Sequence, residues 1–303
     1  MPRYNLGEVT SVTPIESGFA NENYRVVTAR GKVLLRLVKQ KSIQQLKYEL
    51  NLLRYLQIQE FPTAYPIIRK DGEVITKEEN KLIVLFDYLE GKEPAMNSET
   101  TGQVGAAIAD LHNLSLWGHY KRPNDITIEK CLQLVKEFDS NDDTLKSVFE
   151  YFKTETRKLA EPLSAMVPIG IIHSDVFTDN TIFREDCLVG IIDFEEACVD
   201  KLLIDVGTTI NGFCYPDNKL NFELLEVFLK RYQQKRLLMS IECELLPWYI
   251  RWGAHTQIYW HLRYGLLIKH NPRQLTRVQE LIDRVEWAQN NMELISKRIK
   301  EII

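Results

Sequence analysis

Between Ile171 and Phe194 the chain reads IIHSDVFTDNTIFREDCLVGIIDF, and its polar residues stand where they could do chemistry together. Two apolar, β-prone runs, Thr181–Phe183 and Leu188–Ile192, flank a charged turn at Arg184–Asp186. His173, Asp175 and Asn180 precede the first run and Asp193 follows the second. A hairpin of this size brings Asn180 and Asp193 to one sheet edge. Such an oxygen-only set suits magnesium, which takes one or two carboxylates and leaves its other positions to phosphate oxygens. Asp175, just upstream, is placed to orient or deprotonate a hydroxyl.

Other stretches must position that edge. The strand Lys32–Val38 carries Arg36 inside an apolar run, and a helix follows at about Ser42–Gln57, where Ile43, Leu46, Leu50, Leu53 and Leu56 recur at helical spacing. Glu49 falls on the same face, where an unpaired carboxylate is expensive to bury. Pairing it with Arg36 removes the cost; the pair is either a core salt bridge or a device that aims the guanidinium at phosphates. Upstream, Ile15–Tyr24 sets Ser17 and Gly18 between two β-prone runs, either a plain hairpin turn or one whose N–H groups hold phosphate oxygens. Tyr65–Thr76 reads as a hairpin turning at Asp71-Gly72, and Leu82–Leu89 as a buried strand. Gly91 and Pro94 then mark a boundary, giving domains of 1–89 and 90–303.

Beyond the boundary the chain becomes mostly helical. Ser98 can cap a helix ending at Leu111-His112, where the imidazole reads as a packing and hydrogen-bonding group. Residues 125–162 are charged and helical without a chemical signature. Glu195 and Glu196 either assist a metal, bind a substrate amine, or form a solvated turn. In Leu245–Leu267, Trp248, Trp252 and Tyr259 share one helical face, while Arg251, His255 and Arg263 lie near another. That stripe is either core or a substrate wall, with Arg251 or Arg263 gripping a carboxylate. A last amphipathic helix is expected at about Gln274–Ile302.

Composition narrows the class. The 303 residues, 45% hydrophobic and 26% charged, are those of a soluble globular protein. A net charge of -4 speaks against nucleic acid, which calls for a basic surface. No long apolar run suggests a membrane span or leader. The five scattered cysteines, without CxxC spacing, read as reduced thiols of a cytoplasmic protein.

The order His173-x-Asp175-x-x-x-x-Asn180, followed by Ile192-Asp193-Phe194, resembles the catalytic loop and metal-binding Asp of kinases. Glu195, where protein kinases have Gly, brings it nearer to the aminoglycoside phosphotransferase and choline kinase superfamily. Within that superfamily the loop HSDVFTDN and the compact GIIDF are most similar to the homoserine kinase-like branch, as is the L-P-x-x-x-R helix from Leu246 to Arg251. Ser174 and Thr178 depart from the branch's usual Ala or Gly and Pro.

The resemblance covers nearly the whole chain. It implies a two-lobe, protein kinase-like α+β fold, with a β-rich nucleotide-binding N-lobe and a mostly helical C-lobe. It implies ATP and Mg2+ as cofactors, and a small hydroxyl-bearing, amine-bearing substrate. Asp175 would be the catalytic base, with Asn180 and Asp193 as metal ligands. Ser17, Gly18, Arg36, Glu49 and the backbone near Asp87 and Leu89 would hold the nucleotide. Asp205 would hold the catalytic loop by hydrogen bonds. The acceptor implied is a homoserine-like amino acid or amino alcohol, with Glu195, Arg251 and Arg263 as substrate candidates. An aminoglycoside is the alternative, using Glu195, Glu196, Glu242 and Glu244, and a non-catalytic nucleotide-binding regulator is a third.

Overall fold

The computed structural model describes residues 3–15, 21–79, 81–139 and 141–303. In chain order its elements are β1 Val9–Ile15, β2 Asn21–Thr28, β3 Gly31–Val38, α1 Ile43–Ile58, β4 Thr76–Glu78 and β5 Lys81–Asp87. Then come α2 Ser98–His112, α3 Ile128–Glu137, α4 Asp143–Ser164, β6 Ile169–Ile172, β7 Thr181–Arg184, β8 Cys187–Ile191 and β9 Cys198–Lys201. The chain closes with α5 Leu202–Phe213, α6 Phe222–Gln233, α7 Ser240–Trp260, α8 Gln274–Asn290 and α9 Met292–Ile302. These fall into two compact units, residues 1–94 with 180–195, and residues 95–179 with 196–303. The β7–β8 hairpin, which chain order places after the boundary at residue 90, therefore belongs with the first unit.

The first unit is built on an antiparallel sheet of order β1-β2-β3-β5-β4. Side chains alternate across its faces. Val33 joins Tyr4, Val26 and Leu85 in a buried cluster, with Leu35 packed against it. Arg36 is of opposite parity in β3 and points to the other face. Ser42 and Gln45 form a reciprocal capping box that starts α1. The helix then buries Leu46, Leu50, Leu53 and Leu56, each contributing about 2 kcal/mol of apolar burial.

The hairpin expected over Tyr65–Thr76 forms only in part. The Asp71-Gly72 turn is present, with the Gly72 N–H bonded to the Arg69 carbonyl at 3.0 Å, but its arms are not a strand pair. The ladder beside β5 is instead made by β4, and residues 65–67 run along β5 through Asp87 N–H to Tyr65 O and Ile67 N–H to Leu85 O. A turn signal dictates where the chain reverses; side-chain packing dictates which flanks pair.

The second unit is helical around a short antiparallel β6–β9 pair. Every residue of α5 is buried. At its crossing with α7 a Cβ on Gly207 would lie 2.1 Å from the Tyr249 carbonyl oxygen, so only glycine allows this approach. Asn97, one residue before Ser98, caps α2 by accepting the N–H groups of Glu99 and Thr100. The terminal helical stretch breaks at Asn291 into α8 and α9.

Candidate active site

In the first unit the β7–β8 hairpin does what the spacing requires. Thr181 is paired with Ile191, and the Ile192 N–H bonds the Asn180 carbonyl at 2.9 Å. Asn180 and Asp193 thus emerge at the same end of the hairpin. Local packing holds that end in place. Ile191 N–H donates to Pro62 O, Lys92 and Phe183 exchange two backbone bonds, and Phe194 meets Phe61 edge-on. A Cβ on Gly190 would stand 2.7 Å from the Leu89 side chain and 3.2 Å from the Thr63 backbone, which accounts for a glycine at the start of GIIDF.

Arg36 gathers carboxylates on the sheet face that α1 covers. Its Nη1 donates to Glu49 Oε1 at 2.9 Å and to Glu195 Oε1 at 3.1 Å, while Nη2 lies 3.9 Å from Asp193 Oδ1. The guanidinium also lies over the Phe86 ring, 5.0 Å from its centroid. Asn21 supplies a further donor to Glu195. Three carboxylates thus surround one buried cation. Burial pushes the Glu49 carboxyl up to about 7 despite Arg36, and the Glu195 and Asp193 charges push the same way. Glu195 is raised too, first by burial and then by Asp193. Arg36 is held charged, because the surrounding carboxylates outweigh its own desolvation.

Asp193 has two features of a working residue. Its φ is +68°, a left-handed conformation uncommon for a non-glycine residue. Its Oδ1 is buried without a hydrogen-bond partner. A carboxylate oxygen in that state is costly unless something satisfies it, and a hard cation would. Among the described residues no three His, Cys, Asp or Glu side chains cluster as a metal cage. A magnesium ion would therefore rest on a sparse set, Asp193 with the Asn180 amide, which is the ligation this ion favours when phosphates complete it.

In the second unit the loop after β6 carries Asp175. Asp205, in the first turns of α5, accepts the His173 N–H and the Ser174 N–H at 2.6 Å each, one on either oxygen. His112 Nε2 lies 3.3 Å from Asp205 Oδ2, and its Nδ1 2.7 Å from the Tyr232 hydroxyl. Burial lowers the His112 pKa, so the neutral ring donates to Asp205 and accepts from Tyr232. Arg236, ion-paired with Glu242, donates to the same hydroxyl at 3.1 Å. Side chains from α2, α5, α6 and α7 thus set the backbone of the loop. Ser174 sits at φ +73°, where small residues are tolerated best, and the Asp175 N–H reaches His173 Nδ1 at 3.3 Å.

The remaining sequence candidates are dispersed. Ser17 and Gly18 lie outside the described residues. Asp87 and Leu89 close β5 and the segment after it, the Asp87 N–H being bound to Tyr65 O at 2.9 Å. Glu195, a substrate candidate in the sequence, belongs to the Arg36 cluster. Arg251, the second, is 2% exposed, ion-paired with Glu155, bonded to Gln289 at 3.1 Å and stacked over Trp248. A guanidinium so engaged is part of the core. Arg263 is exposed. Of the four glutamates that an aminoglycoside would need, Glu195 meets Arg36, Glu196 meets Arg122, and Glu242 is fully buried against Arg236; only Glu244 is exposed. Glu195 as a partner of Arg36, and Asn21 as a donor to Glu195, escape sequence reasoning, because contacts across 159 and 174 positions leave no periodic trace.

Comparison with known proteins defines the class. Residues 11–237 match the model of the phosphotransferase enzyme family. The chain belongs to that family, and it is a kinase acting on an alcohol group. A homoserine kinase of Agrobacterium fabrum is 31% identical over 260 residues, covering 84% of this chain and 80% of that protein. Among solved structures, a microcompartment-associated aminopropanol kinase superposes with a TM-score of 0.75 at 16% identity, covering 98% of this chain and 97% of that one. An amicoumacin kinase gives 0.72 at 17% identity, with 93% and 90% covered. These structural likenesses establish the protein kinase-like α+β fold. No described helix is long and apolar enough to cross a membrane.

Proposed function

We propose that this kinase transfers the γ-phosphoryl group of ATP to the side-chain hydroxyl of a homoserine-like amino acid. The acceptor oxygen attacks the γ-phosphorus, the bond to the β–γ bridging oxygen breaks, and ADP leaves. Asp175 orients the hydroxyl and takes its proton. Its loop is held by Asp205, so the carboxylate is positioned before substrate arrives.

Asn180 and Asp193 would hold magnesium, which supplies charge neutralisation on the β- and γ-phosphates. The observation that carries this reading is the buried Asp193 Oδ1, without a hydrogen-bond partner and 3.9 Å from Arg36, at the hairpin end it shares with Asn180. Arg36, fixed by Glu49 and Glu195, would steady the phosphates, with Ser17 and Gly18 covering them. The Asp87 N–H is already bonded to Tyr65, so adenine would be met by the Asp87 carbonyl and the Leu89 N–H. The similarity to homoserine kinases over most of the chain supports the acceptor.

The test is ADP formation from magnesium-ATP with homoserine, hydroxylysine, choline, ethanolamine and kanamycin, using Asp175→Asn as the blank. Turnover of homoserine well above the others is expected. Turnover confined to kanamycin would overturn the acceptor, and activity of Asp175→Asn equal to wild type would overturn the base.

A further inference from the structure

We infer that Arg122 and Glu196 recognise the amino-acid end of the acceptor, the guanidinium taking its carboxylate and Glu196 its ammonium. The inference rests on the kinase reading above and names the residues that would choose the acceptor.

The β6–β9 ladder places the pair. Its last register match joins Ile172 to Cys198. Glu196 stands two residues before Cys198, at the end of the single helical turn Phe194–Glu196, and so lies near the part of the Asp175 loop that Cys198 meets. Ser174 Oγ and Cys198 Sγ are 3.8 Å apart, which keeps strand and loop together there. Arg122 reaches this place from the segment before α3. That segment is strapped to β9 by Asn124, whose amide donates to Asp200 at 2.9 Å. Lys130 secures it further by donating to Asn124 O and Asp125 Oδ1, each at 3.2 Å. The Arg122 charge also reaches Cys198, whose thiol burial has pushed up to about 12.

The chemistry of the pair fits a zwitterion. Arg122 Nη2 meets Asp125 and, at a long 3.4 Å, Glu196 Oε2. The Arg122 side chain is only 11% exposed, whereas that of Glu196 is 41% exposed. An ion pair of that length with one partner 41% exposed contributes little stability; Glu196 also shares a hydrogen bond with Asp125, which the ligand's ammonium would replace. A mostly buried guanidinium, by contrast, binds a planar carboxylate strongly and with direction. An α-amino acid offers one charge of each sign on adjacent groups. Laid against the pair head to tail, its carboxylate takes the place of Glu196 at Nη2, and Glu196 turns to its ammonium. Arg251 differs in that its partner Glu155 is as buried as itself, so no half-exposed acid stands beside it to take an ammonium.

The test compares homoserine with 3-aminopropan-1-ol, which keeps the hydroxyl and amine but lacks the carboxylate. Steady-state ADP formation would be measured for wild type, Arg122→Leu, Arg122→Lys and Glu196→Gln. Wild type should favour homoserine strongly. Arg122→Leu should raise the homoserine KM about 100-fold, the loss of one charge-assisted contact, and leave kcat/KM for 3-aminopropan-1-ol within about 3-fold. Arg122→Lys should recover part of the homoserine KM, and Glu196→Gln should weaken both alcohols. The aminopropanol activity reports directly that the Arg122 variants are folded, and an unchanged urea midpoint reports it for Glu196→Gln. Equal losses on both alcohols in Arg122→Leu, or unchanged discrimination, would overturn the assignment. Wild type that phosphorylates choline and not homoserine would leave the kinase reading standing and remove this inference. Wild type inactive on every alcohol would remove both.

Discussion

Two buried arginines, one in each unit, meet a glutamate and put it to different use. Arg251 faces Glu155, one charge against one, with Gln289 and the Trp248 ring completing its surroundings. Arg36 faces Glu49, Glu195 and Asp193, three carboxylates against one cation, and the Asp193 oxygen nearest to it has no hydrogen-bond partner. The first arrangement balances one charge with one, and leaves only the neutralised guanidinium's Nε–H without a hydrogen-bond partner. The second has more carboxylates than its one cation can match, and a divalent cation would balance them. A buried ion pair alone is weak evidence of function; the imbalance around it is better evidence.

The largest effect expected from this contrast is on Asp193. Asp193→Ala should lower turnover about a thousandfold or more, since a metal clamp contributes several kcal/mol to the transition state; retention within a few-fold of wild type would dissolve the metal assignment. Glu155→Ala should instead cost about 3–5 kcal/mol of stability by leaving the Arg251 charge buried alone. In urea unfolding, the double variant Glu155→Leu with Arg251→Met should recover most of that loss, with activity per folded molecule preserved.

A smaller kinetic effect is expected at Glu49. Glu49→Ala frees Arg36 to move, so the KM for ATP should rise about tenfold with less change in kcat. If kcat falls while KM holds, Arg36 serves the transition state and does more than steady the nucleotide.

His255 extends the comparison to pH. It is fully buried against Phe152, and burial with the nearby Arg251 charge lowers its pKa to about 3. Between that value and the ordinary 6.5 the unfolded chain binds a proton that the folded chain refuses. Stability should therefore fall on acidification through this window, by up to about 1.4 kcal/mol per pH unit. Denaturation curves at pH 7 and 5 should show a shallower loss in His255→Gln. The smallest effect belongs to Ser174: Ser174→Gly should change stability by less than about 1 kcal/mol, while Ser174→Val, forced to φ +73°, should lose more.

What the sequence made legible follows physical range. The hairpin from Thr181 to Ile191 was readable because strand, turn and flanking polar residues are contiguous, and Glu49 because a carboxylate on an apolar helical stripe demands a partner. The clamp on the Asp175 loop was readable at Asp205, through resemblance alone, and its continuation through Tyr232, Arg236 and Glu242 was not. Glu195 went unplaced because it reaches Arg36 across 159 positions, and nothing local distinguishes it from Glu196. Arg251 was read as available to a substrate because helical periodicity shows a face, but not what packs on it. The pairing of β4 with β5 was missed for a similar reason: Asp71-Gly72 announces a turn without saying which flanks will pair.

The most direct measurement is calorimetric titration of ATP, with and without magnesium, into wild type, Asp193→Asn and Arg251→Met. The account expects magnesium-dependent tightening in wild type and in Arg251→Met, and its loss in Asp193→Asn. Magnesium-dependent binding that survives in Asp193→Asn and disappears in a folded Arg251→Met would contradict the account, by exchanging the roles of the two arginine clusters.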